Sequence, residues 1–173
     1  SIDFPSINSG GSSRSCLSMV FLSVIVRPYF SGRFFRQSLV RSSSLNCFIL
    51  PVFNSFETLP EVLERVKSNT DLTWRLIIVE DCSSDPGVRS WLRQWCGNVD
   101  RRNDRIILLE NAENLGFIRS VNLALASTIP LNDHVVLMNS DALVPEGWAS
   151  RLVEPMLRDP AVASVTPMSN DAE

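Results

Sequence analysis

The strongest constraint on this chain lies in the stretch His134 to Trp148, HVVLMNSDALVPEGW. Val135, Val136, Leu137 and Met138 form an apolar run with β-branched members, short enough for a strand at the centre of a sheet. The run stops on Asn139-Ser140-Asp141, and polar residues at the carboxyl end of a buried strand lie where open α/β sheets bind ligands. Alternation along an extended chain puts Asn139 and Asp141 on the same side. Two oxygen-bearing side chains so spaced can share a hard cation, Mg²⁺ or Mn²⁺, and such a cation would hold a diphosphate. The competing reading is a polar strand-to-loop turn without a ligand.

The same pattern recurs upstream. Cys47 to Leu50 reads as a buried strand, ended by Pro51-Val52-Phe53-Asn54. Leu59, Val62, Leu63 and Val66 then recur at helical spacing, with Asn54 or Ser55 available as the cap. Trp74 to Val79 is a second strand, closing on Glu80-Asp81-Cys82-Ser83-Ser84-Asp85. Asp85 before Pro86 is a cap followed by a first-turn proline, opening a helix to about Cys96. Arg105 to Leu109 is a third strand, Asn111 to Gly116 a polar loop, and Phe117 to Ser127 a third helix. After the organising strand, Pro145 opens a fourth helix, from about Glu146 to Leu157, which Pro155 ends or bends. Ala161 to Val165 is a last strand. This alternation predicts an α/β fold: a Rossmann-like open, mostly parallel sheet with helices on both faces. The four polar loops at strand carboxyl ends then converge on one rim, which favours the ligand reading of Asn139 and Asp141.

Charge separates the chain into two materials. Residues 1–46 balance at +4 and residues 47–173 at −7, for a net −3 that carries no nucleic-acid signal. Residues 1–45 are a Ser/Arg-rich leader, expected to be disordered or not native to the protein, with an organelle transit peptide as the further alternative. The apolar run Cys16 to Val26 is too short to span a bilayer. Cys16, Cys47, Cys82 and Cys96 form no CxxC pair, and His134 is the only histidine, so the zinc reading is weak. His134 opens a strand and is expected at the surface. Trp91 and Trp95, four apart on a helix, read as packing residues, as does Trp148.

No GxGxxG follows the first strand and no GxxxxGK[ST] occurs, which argues against a dinucleotide oxidoreductase and a P-loop NTPase. A metal ion is the natural alternative for holding phosphate. Asp81 can accept from the imide N–H of a pyrimidine base, or simply cap the next turn. A nucleotidyltransferase would need a Gly-rich loop with a nearby Arg or Lys after the first strand, and PVFNSF offers none.

Five segments in order, ILPVFNSFETLPEVLERV, LIIVEDCSSD, ENLGFIRSVNLAL, VVLMNSDALVPEGW and VTPMSN, resemble family 2 glycosyltransferases of the GT-A fold, and among these the rhamnosyltransferase-like members. The resemblance covers residues 46–173 as the N-terminal part of a GT-A domain. It implies metal-assisted transfer of a sugar, with inversion, from a nucleoside-diphosphate sugar to a hydroxyl acceptor. It places Pro51, Val52 and Asn54 beside the nucleotide and Asp81 at the base. Asn114, Gly116 and Asn122 match the segment that closes over the nucleotide. Asp141 matches the last aspartate of the metal motif, and Asn139 stands where the first would be, bordering both metal and nucleotide. The implied cofactor is Mn²⁺ or Mg²⁺, and the donor a UDP- or dTDP-sugar. The acceptor would be a saccharide or lipid-linked saccharide, in the cytoplasm at the inner face of the membrane with peripheral association, as in polysaccharide biosynthesis; nucleic acid is not an implied partner.

Four positions depart from the family pattern. Asn139 removes a negative charge from the metal site. Val121 stands where many members carry Arg, which removes a phosphate partner. Cys82 replaces a usual Gly and alters the demands on the loop backbone, while Glu80 replaces a usual Asp. The resemblance also puts the catalytic base and the acceptor site beyond Glu173, so the chain is expected to hold the donor half and to lack the acceptor half. The alternative is a non-catalytic fragment that only binds nucleotide.

Overall fold

The computed structural model describes residues 46–99, 105–128, 134–159 and 161–167, together with the backbone of 22–25. In chain order the elements are β1 (Leu22–Ile25), β2 (Asn46–Val52), α1 (Leu59–Asn69), β3 (Trp74–Glu80), α2 (Pro86–Val99), β4 (Ile106–Glu110), α3 (Phe117–Thr128), β5 (His134–Met138), α4 (Trp148–Arg158) and β6 (Ser164–Val165). They build one sheet in the order β4-β3-β2-β5-β1-β6. The four strands β4, β3, β2 and β5 are parallel, β1 runs antiparallel to β5, and β6 antiparallel to β1.

Strand parity decides which side chains meet which helices. Phe48, Leu50, Leu76, Ile78, Val136 and Met138 point to one face, where the apolar stripes of α1, α2 and α4 cover them. Cys47, Ile49, Ile77, Val79 and Val135 point to the other, against Val121 and Ala124 of α3. The first face is the larger core. Phe48 is its hinge-pin: its ring stacks with Trp74 at 6.1 Å and tilts against Trp148 at 5.0 Å. Trp148 is buried, and its indole N–H donates to Thr70 Oγ1 at 3.1 Å. Trp91 and Trp95 stack at 6.4 Å, with Phe56 edge-on to Trp91. All three tryptophans pack, as their spacing suggests.

The structure corrects several expectations. Leu22–Ile25, inside the stretch read as a leader, forms β1: an extended apolar segment pairs with the edge that β5 would otherwise leave open. The rest of residues 1–45 lies outside the described residues. His134 is buried, because β5 is an inner strand and its first residue sits opposite Asn46 in the ladder with β2. α1 is capped at Thr58, not Asn54 or Ser55. α4 starts at Trp148, three residues after Pro145, behind Gly147 at φ +62°. Gly147 has no side chain to cap that end, so Asp71, reaching from the α1–β3 connection, accepts from the Ser150 N–H at 3.1 Å. Pro155 lies inside α4 without ending it. β6 is only the last two residues of the predicted strand. Among the described residues no helix is long and apolar enough to cross a membrane.

Candidate nucleotide-binding cleft

The strand order creates the site. After β2 the chain moves outward through β3 and β4, then returns to place β5 on the other side of β2. Such a reversal opens a crevice at the carboxyl ends of the two strands. β2 and β5 stay paired only from Asn46↔His134 to Ile49↔Leu137. Beyond Ile49, β2 continues beside β3 alone, and Pro51, which has no N–H for a ladder bond, stands in this part.

The crevice widens into a cleft of about 420 Å³. β2 and its following loop contribute Pro51, Val52, Phe53 and Ser55; the loop after β3 contributes Asp81; the β4–α3 loop and the start of α3 contribute Asn114, Gly116 and Phe117; the turn after β5 contributes Asn139, Ser140 and Asp141. Seven of the nine residues singled out from the sequence therefore share one cleft. Asn54 and Asn122 do not line it. Asn122 is on the exposed face of α3. Asn54, at φ +54°, serves as a clamp between loops: its Oδ1 accepts from the Ser84 N–H at 2.8 Å, and its own N–H donates to Ser83 Oγ at 3.1 Å. Sequence reasoning passed over Phe53, Ser55, Phe117 and Ser140, which carry no charge to announce them.

Asp81 is buried and heavily bonded. Its Oδ1 accepts from Asn111 Nδ2 at 2.7 Å and from the Leu115 N–H at 2.8 Å, and its Oδ2 from the Gly116 N–H at 2.8 Å. Burial pushes its pKa up, but the donors Asn111, Leu115, Ser120 and Gly116 outweigh it and hold the carboxyl below its ordinary value. Asp81 thus ties the β4–α3 loop to β3. Asn111, also buried, donates to Ser120 Oγ at 3.0 Å as well. Gly116 adopts φ +77° to enter α3, a conformation that suits glycine.

Glu80 is fully buried behind the cleft. It accepts from the Ser83 N–H at 2.6 Å and from Arg89 Nε at 2.6 Å, and Arg89 Nη2 reaches the Asn111 carbonyl at 2.8 Å. Burial raises the Glu80 pKa, but Ser83 and the Arg89 guanidinium bring it below the ordinary value. The pair ties the β3–α2 loop to the start of the β4–α3 loop.

Cys82 follows at φ +55°, a left-handed backbone that a glycine would adopt without strain. Cys82→Gly is therefore expected to stabilise the protein by about 0.5 kcal/mol, the relief of the left-handed Cβ less the extra chain entropy of glycine. A urea denaturation series checks the sign, and a loss of stability would show that the Cys82 Sγ contact to the Ala112 carbonyl at 3.6 Å matters more.

The donor set at the β5 end suits a cation shared with a phosphate. Among the described residues no three His, Cys, Asp or Glu side chains cluster as a protein-only cage. Asp141 with the neighbouring Asn139 supplies one carboxylate and one amide oxygen, the pattern of Mg²⁺-type sites that take their remaining ligands from substrate phosphates and water. No Lys or Arg is among the lining residues, and Val121 is buried against the sheet.

Similar proteins agree with this architecture. A mannosyltransferase from Pyrobaculum calidifontis, PcManGT, solved with GDP-Man and Mn²⁺, matches with a TM-score of 0.57 and 25% identity over 69% of this chain and 33% of that chain. Staphylococcus aureus TarS 1-349 with UDP matches with a TM-score of 0.51 and 18% identity over 65% of this chain and 32% of that chain. The uncharacterized protein y4gI of Sinorhizobium fredii is 29% identical over 108 residues, 61% of this chain and 12% of that protein. The chain thus spans about a third of the length of these solved structures. Its fold is GT-A-like, an α/β fold around four parallel strands. The family model for glycosyl transferase family 2 matches residues 47–173, most of the sequence, and the chain belongs to that family.

Proposed function

We propose that residues 46–173 bind the nucleoside-diphosphate part of a sugar donor in the cleft between β2 and β5, and serve metal-assisted, inverting transfer of the sugar to a hydroxyl acceptor. One observation carries this reading: a cleft at the sheet's switch point holds an accessible carboxylate, Asp141, and among the described residues no lysine or arginine lines it. A diphosphate placed there needs a cation to offset its charge, and Asp141 with Asn139 is where one would be held. When bound, the metal would neutralise charge developing on the leaving diphosphate. The residues of the chain do the rest. Pro51, Val52 and Phe53 form one wall for the nucleoside, and Asn114, Gly116 and Phe117 the other. Asp81 keeps the second wall in place and borders the base. The rhamnosyltransferase-like specificity, a UDP- or dTDP-sugar donor, a saccharide or lipid-linked acceptor and work at the cytoplasmic membrane face complete the proposal. The similarity to a GDP-Man-binding mannosyltransferase makes GDP the third nucleotide to test.

A second reading, nucleotide binding without transfer, is favoured by the state of the carboxylates. Of the two lining acids, Asp81 is engaged by its loop and Asp141 is assigned to the cation, so no further carboxylate lines the described cleft to deprotonate an acceptor.

Thermal unfolding with UDP, dTDP and GDP, each with and without Mn²⁺, separates the outcomes. A nucleotide at 100 times its dissociation constant is expected to add about 2.7 kcal/mol of stability, only when Mn²⁺ is present. A folded protein that none of the three stabilises would refute the donor-site reading. Metal-dependent binding without sugar transfer to any added acceptor would select the second.

A further inference from the structure

We propose that Thr58 is a positioning residue for the metal-binding turn, acting through Ser140; the inference rests on the donor-site reading above. Thr58 is the N-cap of α1, a position where a threonine hydroxyl ordinarily satisfies a backbone N–H of the first helical turn. Here it makes no such bond. Its Oγ1 instead donates across the crevice to the Ser140 carbonyl at 3.2 Å, the nearer of two carbonyls in reach, the other being Ser55 at 3.4 Å. The hydroxyl therefore makes no cap bond to its own helix and holds the opposite wall of the cleft instead.

The held atom matters. The Ser140 carbonyl belongs to the peptide unit whose nitrogen is that of Asp141, and a peptide unit is planar. Fixing that oxygen fixes the plane from which the Asp141 side chain springs. Two further ties act on the same turn: Ala142 N–H donates to the Asn139 carbonyl at 3.1 Å, and the Ser55 and Ser140 hydroxyls are hydrogen-bonded to each other. β2 and β5 have already separated at this level, so the sheet ladder no longer aligns the two loops. The hydroxyls of Ser55 and Thr58 take over that task. A carboxylate held in place before the cation arrives has less freedom to lose on binding it.

Outer groups that orient a metal ligand typically change affinity by about 10–100-fold when removed. The test uses the full 173-residue chain with Thr58→Val, which keeps the shape and loses the hydroxyl, and Thr58→Ser, which keeps the hydroxyl. Calorimetric titration of UDP and of GDP in MnCl₂ is read beside hydrogen exchange of the Ala142 amide. Thr58→Val is expected to weaken Mn²⁺-dependent binding about tenfold or more and to speed Ala142 exchange, with Thr58→Ser close to the wild type in both. Equal affinity in Thr58→Val and wild type, or equal loss in both variants, would overturn the proposal. A wild type that binds neither nucleotide with Mn²⁺ would sink the donor-site reading instead. The tie between Thr58 and the turn is then decided by exchange alone: unchanged Ala142 protection in Thr58→Val overturns it, and faster exchange restored by Thr58→Ser supports it.

Discussion

Asp141→Ala is expected to abolish the Mn²⁺-dependent part of nucleotide binding while leaving the fold intact. The carboxylate lines the cleft, half-exposed, and among the described residues no hydrogen bond or ion pair engages it. Its removal therefore leaves no buried partner stranded, and stability without nucleotide should change by less than about 0.5 kcal/mol. Binding is another matter, because among the described residues no cationic side chain lines the cleft to take over the phosphate charge. A hundredfold loss of affinity turns a stabilisation of about 2.7 kcal/mol, at 100 times the wild-type dissociation constant, into about 0.4 kcal/mol. Thermal unfolding at fixed UDP or GDP with Mn²⁺ reads the difference directly. Full retention of the metal-dependent shift would place the cation elsewhere. Asn139→Asp is the complementary change, and should tighten Mn²⁺ binding by adding a second carboxylate to the turn.

Asp81→Ala should have the opposite profile, a large loss of stability. Its carboxylate is the shared acceptor for the Asn111 amide and the Leu115 and Gly116 N–H groups. Truncation removes three hydrogen bonds, one buried and two part-buried, and at about 1 kcal/mol each the cost is about 3 kcal/mol. Urea unfolding measures it, and a change below about 1 kcal/mol would mean that water replaces the carboxylate without penalty. The same bonds predict a pH dependence. The folded pKa of Asp81 is lowered, so its contribution is complete above the unfolded value near 4 and disappears as pH falls through the lower folded value. Wild-type stability should therefore decline below about pH 4 more steeply than that of Asp81→Ala.

The sequence speaks most clearly where its signal is local. Buried parallel strands are continuous apolar runs, which is why β2, β3, β4 and β5 appear within a residue or two of their observed limits. Asp85-Pro86 opens α2 as expected, with Asp85 Oδ1 accepting from the Gly87 N–H at 2.8 Å. What stayed hidden depends on partners far along the chain. Leu22–Ile25 gains its strand identity only from the edge of β5. His134 is buried because β2 and β1 flank its strand, a fact about topology and not about histidine. The α4 start moved because Gly147 donates its N–H to the Asn69 carbonyl, a tie to the end of α1 that overrides the pull of Pro145. The cleft divides in the same way. Asp81, Asn139 and Asp141 stand out as polar residues closing apolar runs, whereas Asn111, Ser55 and Thr58 gain their roles through hydrogen bonds to loops 30, 85 and 82 residues away.

The pairing of Asn46 with His134 also sets the order in which this molecule can come into being. β2 and β5 lie about ninety residues apart in sequence, and contacts of that separation are slow to form because the intervening chain must first be closed into a loop. Neither wall of the cleft is useful alone, so the binding surface is acquired only when β5 has docked against β2. On the donor-site proposal, partly folded chains, however rich in helix and in β2–β3 pairing, would offer no place for a nucleotide, and occupancy of the cleft would report that β5 has docked on β2.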